Sequence, residues 1–118
     1  MKSLSQKKIF ITILILFSIL INQYYGNRGV FPIDSFLNFD ASFNIVAGNH
    51  PFKDYWLITG PFLDYIQSFL FLILGTSWAS YALHASIINM VLALFSFYFF
   101  IKIGLKDFYA FIYSAGIA

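Results

Sequence analysis

The stretch PFLDYIQSFLFLIL, residues 61–74, decides how this chain folds. Its only polar residues are Asp64, Gln67 and Ser68. If it crosses a membrane, the chain makes three crossings before Lys102; if it lies along the surface, it makes two. A spanning helix needs about 20 residues, and this run is shorter. A carboxylate at the bilayer centre costs about 2.5–3.5 kcal/mol. The basic residues give a second test, because cytoplasmic loops carry the excess of Lys and Arg. With residues 61–74 crossing, Lys2, Lys7 and Lys8 lie inside, while Arg28, Lys53, Lys102 and Lys106 lie outside. With the stretch on the surface, Lys2, Lys7, Lys8, Lys102 and Lys106 lie inside, and only Arg28 and Lys53 lie outside. Length, charge cost and basic bias agree on a surface helix.

Composition sets the class. Hydrophobic residues make up 60% of the chain and charged ones 10%, where a soluble domain carries about 25% charged residues. The expectation is an all-α, multi-pass membrane protein. The net charge of +2 comes with no basic cluster, so nucleic acid is not an expected partner. Without cysteine, disulfides, thiolate metal sites and cysteine nucleophiles are excluded.

The first span covers about 8–25, behind the basic MKSLSQKK. Asn22-Gln23-Tyr24-Tyr25 is too bulky for a leader cleavage site, so this reads as an uncleaved span. The second covers about 78–101, with Tyr81–Ile101 its clearest part. Residues 108–118 begin a further apolar segment, which points to the N-terminal part of a longer protein. Residues 1–118 then form one transmembrane domain. Residues 26–77 become its first non-cytoplasmic loop, on the outer face of a cytoplasmic (inner) membrane with the N-terminus inside.

That loop holds two juxtamembrane helices, 34–47 and 61–74. In the first, Phe36, Phe39, Phe43 and Val46 recur at spacings of three and four, an amphipathic stripe suited to the interface plane. Gly48 and Pro51 stop it. In the second, Pro61 suits the first turn and Gly75 ends it. Between them, in NHPFKDYWLIT, Tyr55 and Trp56 belong at headgroup level.

No phosphate loop, zinc motif or Ser/His/Asp signature is visible. His50 and His84 lack metal-ligand spacing, so no metal ligand or cofactor is assigned, with a divalent metal left open. Asp34 is either a helix N-cap or a general base held at the membrane surface. Asp40 falls on a solvated face. Asp54 either closes a turn or binds substrate. Asp64 either has a partner or function or faces water. His50 is a turn residue or a substrate contact, and His84 a packed interfacial ring. Lys53 and Arg28 serve as interface anchors or pair with lipid phosphates.

The order of a basic N-terminus, first span, acid, amphipathic helix, GNHPFKDYW (48–56) and GPFLDYIQSFLFLILG (60–75) resembles the N-terminal region of GT-C fold glycosyltransferases. These use polyprenyl-phosphate sugars, and the nearest types are protein O-mannosyltransferases and aminoarabinose transferases. The resemblance covers residues 9 to about 110. It implies a lipid-linked sugar donor, contact with membrane lipid, and Asp34 as the catalytic base. It also implies His50, Lys53, Asp54 and Asp64 as substrate-binding residues; the acceptor is not specified. Two positions depart from the family. Its Asp-Glu pair is Asp34-Ser35 here, and Gly60 stands where some relatives carry a phosphate-binding lysine. Lys53, Arg28 or a basic residue beyond Ala118 would then take that contact. The alternative is a non-enzymatic multi-pass protein, a transporter segment or assembly subunit, with 61–74 crossing and Asp64 or His84 on a polar pathway.

Overall fold

The computed structural model describes residues 2–29 and 32–118, with side chains described at 6–29 and 35–118. The order is α1 (Lys2–Gly26), α2 (Pro32–Val46), α3 (Phe62–Leu74), α4 (Trp78–Lys102) and α5 (Asp107–Ala115). Among the described residues there is no strand, and one isolated bridge joins Pro51 to Tyr55. The chain divides into two compact units, residues 1–25 with 85–118, and residues 26–84.

Helix boundaries follow local chemistry. α2 ends in a left-handed Gly48, with Gly48 N–H donating to Ile45 O and Asn49 N–H to Asn44 O. α4 ends the same way, with Gly104 N–H to Ile101 O and Leu105 N–H to Phe100 O. These paired bonds define the Schellman stop, which satisfies the last carbonyls. Pro61 stands at the N-cap position of α3, where its missing N–H costs nothing.

Two helices, Gln6–Gly26 and Trp78–Lys102, are long and apolar enough to cross a membrane. Only 11% and 22% of their most apolar windows are buried in the protein. A soluble core helix would hide that surface; here Ile9, Ile13, Leu16 and Leu20 on α1 and Val91, Phe95 and Phe99 on α4 face outward. The arrangement points to membrane association.

In the first unit, α1 and α4 run antiparallel. Asn89 Nδ2 donates to Asn22 Oδ1 at 2.6 Å and Gln23 Nε2 to Ser86 Oγ at 3.0 Å. Further along, Leu14 and Phe97 share a buried cluster with Ala110. Numbers rise on α1 as they fall on α4. α5 runs parallel to α1: Lys7 Nζ lies 3.6 Å from Asp107, Phe10 stacks on Phe111 at 4.8 Å, and Asn22 Nδ2 donates to Ala118 O at 3.0 Å. The chain therefore leaves this unit after Tyr25 and re-enters it at Ala85 at the same end of the helix pair.

In the second unit, α2 packs on α3 around Phe39. Its ring lies 5.0 Å from Phe71, 5.8 Å from Tyr81 and 6.5 Å from Trp78. Trp78 Nε1 donates to Gly26 O at 2.7 Å. The apolar stripe of α2 divides: Phe39 enters this core, whereas Phe36 and Phe43 face outward. Ala41 and Ser42 take the buried side, with Ser42 Oγ donating back to Asn38 O.

Interhelical amides in apolar surroundings are worth about 1–2 kcal/mol. Asn22→Leu and Asn89→Leu should each destabilise the α1–α4 pair by about that amount. The double variant should lose less than the sum. Unfolding in detergent, followed by circular dichroism, measures this.

Candidate functional site

α3 is built inside out. Asp64, Gln67, Ser68 and Phe71 lie at i, i+3, i+4 and i+7, which is one helical face, and all four are buried. The opposite face shows Phe62, Leu63, Phe69, Leu72 and Ile73 to the outside. Asp64 is 2% exposed and Phe62 74%. In water this polarity would be reversed.

The buried face meets the first turns of α4. His84 Nδ1 and Gln67 Oε1 are 2.9 Å apart. With the amide oxygen as acceptor, Nδ1 carries the proton and Nε2 keeps its lone pair. Asn38 of α2 hydrogen-bonds the Tyr81 hydroxyl. Asp64 Oδ2, Gln67 Nε2 and His84 Nε2 are more than nine-tenths buried and have no hydrogen-bond partner among the described residues. Such orphaned groups cost about 1–3 kcal/mol each. Burial pushes the Asp64 carboxyl above its ordinary value, since an ion loses more hydration than a neutral acid.

The sequence-predicted residues separate into three places. Asp34 is the third residue of α2; its side chain lies outside the described residues. His50, Lys53 and Asp54 come together in one turn. His50 N–H donates to Asp54 Oδ2 at 2.8 Å, Asp54 N–H returns to His50 O at 2.9 Å, and Lys53 Nζ lies 3.9 Å from Asp54 Oδ2. Asp54 thus closes the turn. His50 Nδ1 also lies 3.4 Å from the Tyr65 hydroxyl. Asp64 stands apart on the buried face of α3, not facing water.

Tyr55, expected at headgroup level with Trp56, is half-buried and donates its hydroxyl to Ala41 O at 3.0 Å. Burial is the main cause that raises its phenol above the ordinary value, with the Asp64 charge second. The residue that sequence reasoning missed is Gln67. The signal was present: three polar residues at i, i+3 and i+4 in an apolar run share a face, and a shared polar face calls for a partner.

Among the described residues, no group of three His, Cys, Asp or Glu side chains is placed to hold a metal ion. Comparison with protein-family models, curated proteins and solved structures gives no match for this chain.

The raised Asp64 carboxyl has a pH consequence. A group that holds its proton more tightly when folded favours the fold below its unfolded value, which is 3.8 for this carboxyl. That contribution is lost as pH rises through the raised folded value. Thermal unfolding in detergent should therefore show stability falling with pH above the ordinary carboxylate range, and Asp64→Asn should flatten that slope.

Proposed function

We propose that this chain is part of a GT-C fold glycosyltransferase, and that it helps transfer a sugar from a polyprenyl phosphate to an acceptor hydroxyl at the outer face of a membrane. The observation that carries the reading is the helix order. A long apolar helix, two short helices packed on each other and a second long apolar helix follow in turn. An acid opens the first short helix. An antiparallel α1–α4 pair suits two crossings with residues 26–77 between them, and it argues against α3 as a crossing helix. The basic ends support the same orientation, because Lys7 meets Asp107 at the end where Lys102 and Lys106 also fall.

The chemistry needs little from the protein beyond placement. Phosphate is already a good leaving group. The acceptor oxygen bonds to the anomeric carbon as its proton passes to the Asp34 carboxylate. The bond from that carbon to the phosphate oxygen breaks, and its electron pair leaves on the polyprenyl phosphate. A donor from the 50–54 turn, the Lys53 ammonium or the His50 imidazole, stabilises the departing charge. Asp54 and Asp64 have structural duties within this scheme: the first closes the turn and the second lies on the buried face of α3.

Asp34→Asn should lower sugar transfer by about 10²–10⁴-fold, the usual worth of a general base, with membrane insertion unchanged. The assay is transfer of labelled sugar from polyprenyl phosphate in membranes carrying the full protein. Full activity in this variant removes Asp34 as the base.

A further inference from the structure

The turn between α2 and α3 holds a strained residue that neither the fold nor the proposed chemistry uses. Phe52 has a φ of 63°, in the left-handed region where a bulky side chain is an outlier. Strain of this kind costs of order 1–3 kcal/mol and persists only where its surroundings enforce it. Here they do. Phe52 N–H donates to Tyr55 O at 2.8 Å, Lys53 N–H to His50 O at 3.3 Å and Asp54 N–H to His50 O at 2.9 Å. Asp54 Oδ2 takes His50 N–H, and the Tyr55 hydroxyl ties the turn to α2 through Ala41 O. A glycine would relieve the strain, yet a phenylalanine stands there and faces outward.

Further exposed apolar side chains follow it in the chain. Trp56 lies edge-on to Phe52 at 5.6 Å. Trp56 is 80% exposed and Ile58 85%. The Lys53 side chain is exposed, with its Nζ 3.9 Å from Asp54 Oδ2. Residues 52–58 thus present three large exposed apolar side chains and one cation. Water penalises each apolar group by roughly 25 cal/mol for every Å² left uncovered.

We propose that this turn is a membrane-docking wedge: Phe52, Trp56 and Ile58 enter the boundary between lipid headgroups and acyl chains, and the Lys53 ammonium pairs with lipid phosphate. Two observations commit it to a bilayer. Two helices able to cross a membrane belong to the same chain. An exposed tryptophan and an exposed lysine within one short segment match the interface, where an amphipathic ring and a long cationic stem each satisfy both ends. The proposal does not depend on the transferase reading.

The chain has two tryptophans, so Trp78→Phe isolates Trp56. Because Trp78 is packed against Phe39 and Tyr81, a second route protects the test: the difference spectrum between the unaltered protein and Trp56→Phe. The full chain is placed in phosphatidylcholine bilayers with and without phosphatidylglycerol. In both, Trp56 emission should be shifted to the blue and quenched more by lipids brominated near the glycerol end than by those brominated near the methyl end. Phosphatidylglycerol should strengthen the shallow quenching, and Lys53→Glu should abolish that gain. Emission as in water, open to iodide and unaffected by brominated lipid, overturns the wedge. So does emission that follows protein density in the bilayer instead of lipid bromination, which would assign the surface to a second copy.

Discussion

The pairing of Asn22 with Asn89 and of Gln23 with Ser86 holds α1 and α4 antiparallel, and the rest of the architecture depends on it. In an apolar medium these amides have no water to turn to, so each must find a partner on a neighbouring helix. Their register admits one direction only. Leu14 meets Phe97 further along, and Lys7 meets Asp107 at the far end. The chain leaves this unit after Tyr25 and returns to it at Ala85.

In the second unit, α3 turns Asp64, Gln67 and Ser68 inward and Phe62, Phe69 and Leu72 outward, an arrangement that suits membrane association. Gln67 and His84 satisfy part of each other's hydrogen-bonding capacity. The raised Asp64 carboxyl is the electrostatic trace of the same burial. The polar seam joins α3 to the start of α4, while the aromatic group around Phe39 joins α2 to both.

Much of this was legible in the residues. Gly48, Pro61 and Gly75 mark helix ends because few residues tolerate a left-handed stop or a missing N–H, and these ends fall within two residues of their sequence-based positions. The direction in which the amphipathic helices face was not legible. Periodicity shows that a helix has two unlike sides, but which side turns inward depends on the medium. Phe36, Phe39 and Phe43 belong to one stripe, yet only Phe39 enters the core. Tyr55 and Trp56 are adjacent and of similar chemistry, yet Tyr55 is half-buried and bonded to Ala41 O while Trp56 is exposed. Asp54 shows the same limit, since its turn-closing bond to His50 N–H depends on a backbone path that spacing does not specify.

The central proposal is that residues 26–77 form one loop between two antiparallel crossings. The chain has no cysteine of its own, so Lys53→Cys and Lys102→Cys each introduce a single reporter. The direct measurement is labelling by a membrane-impermeant maleimide on intact cells and again after permeabilisation. The account predicts labelling of residue 53 on intact cells, and of residue 102 only after the membrane is opened. Labelling of both from the same side contradicts it.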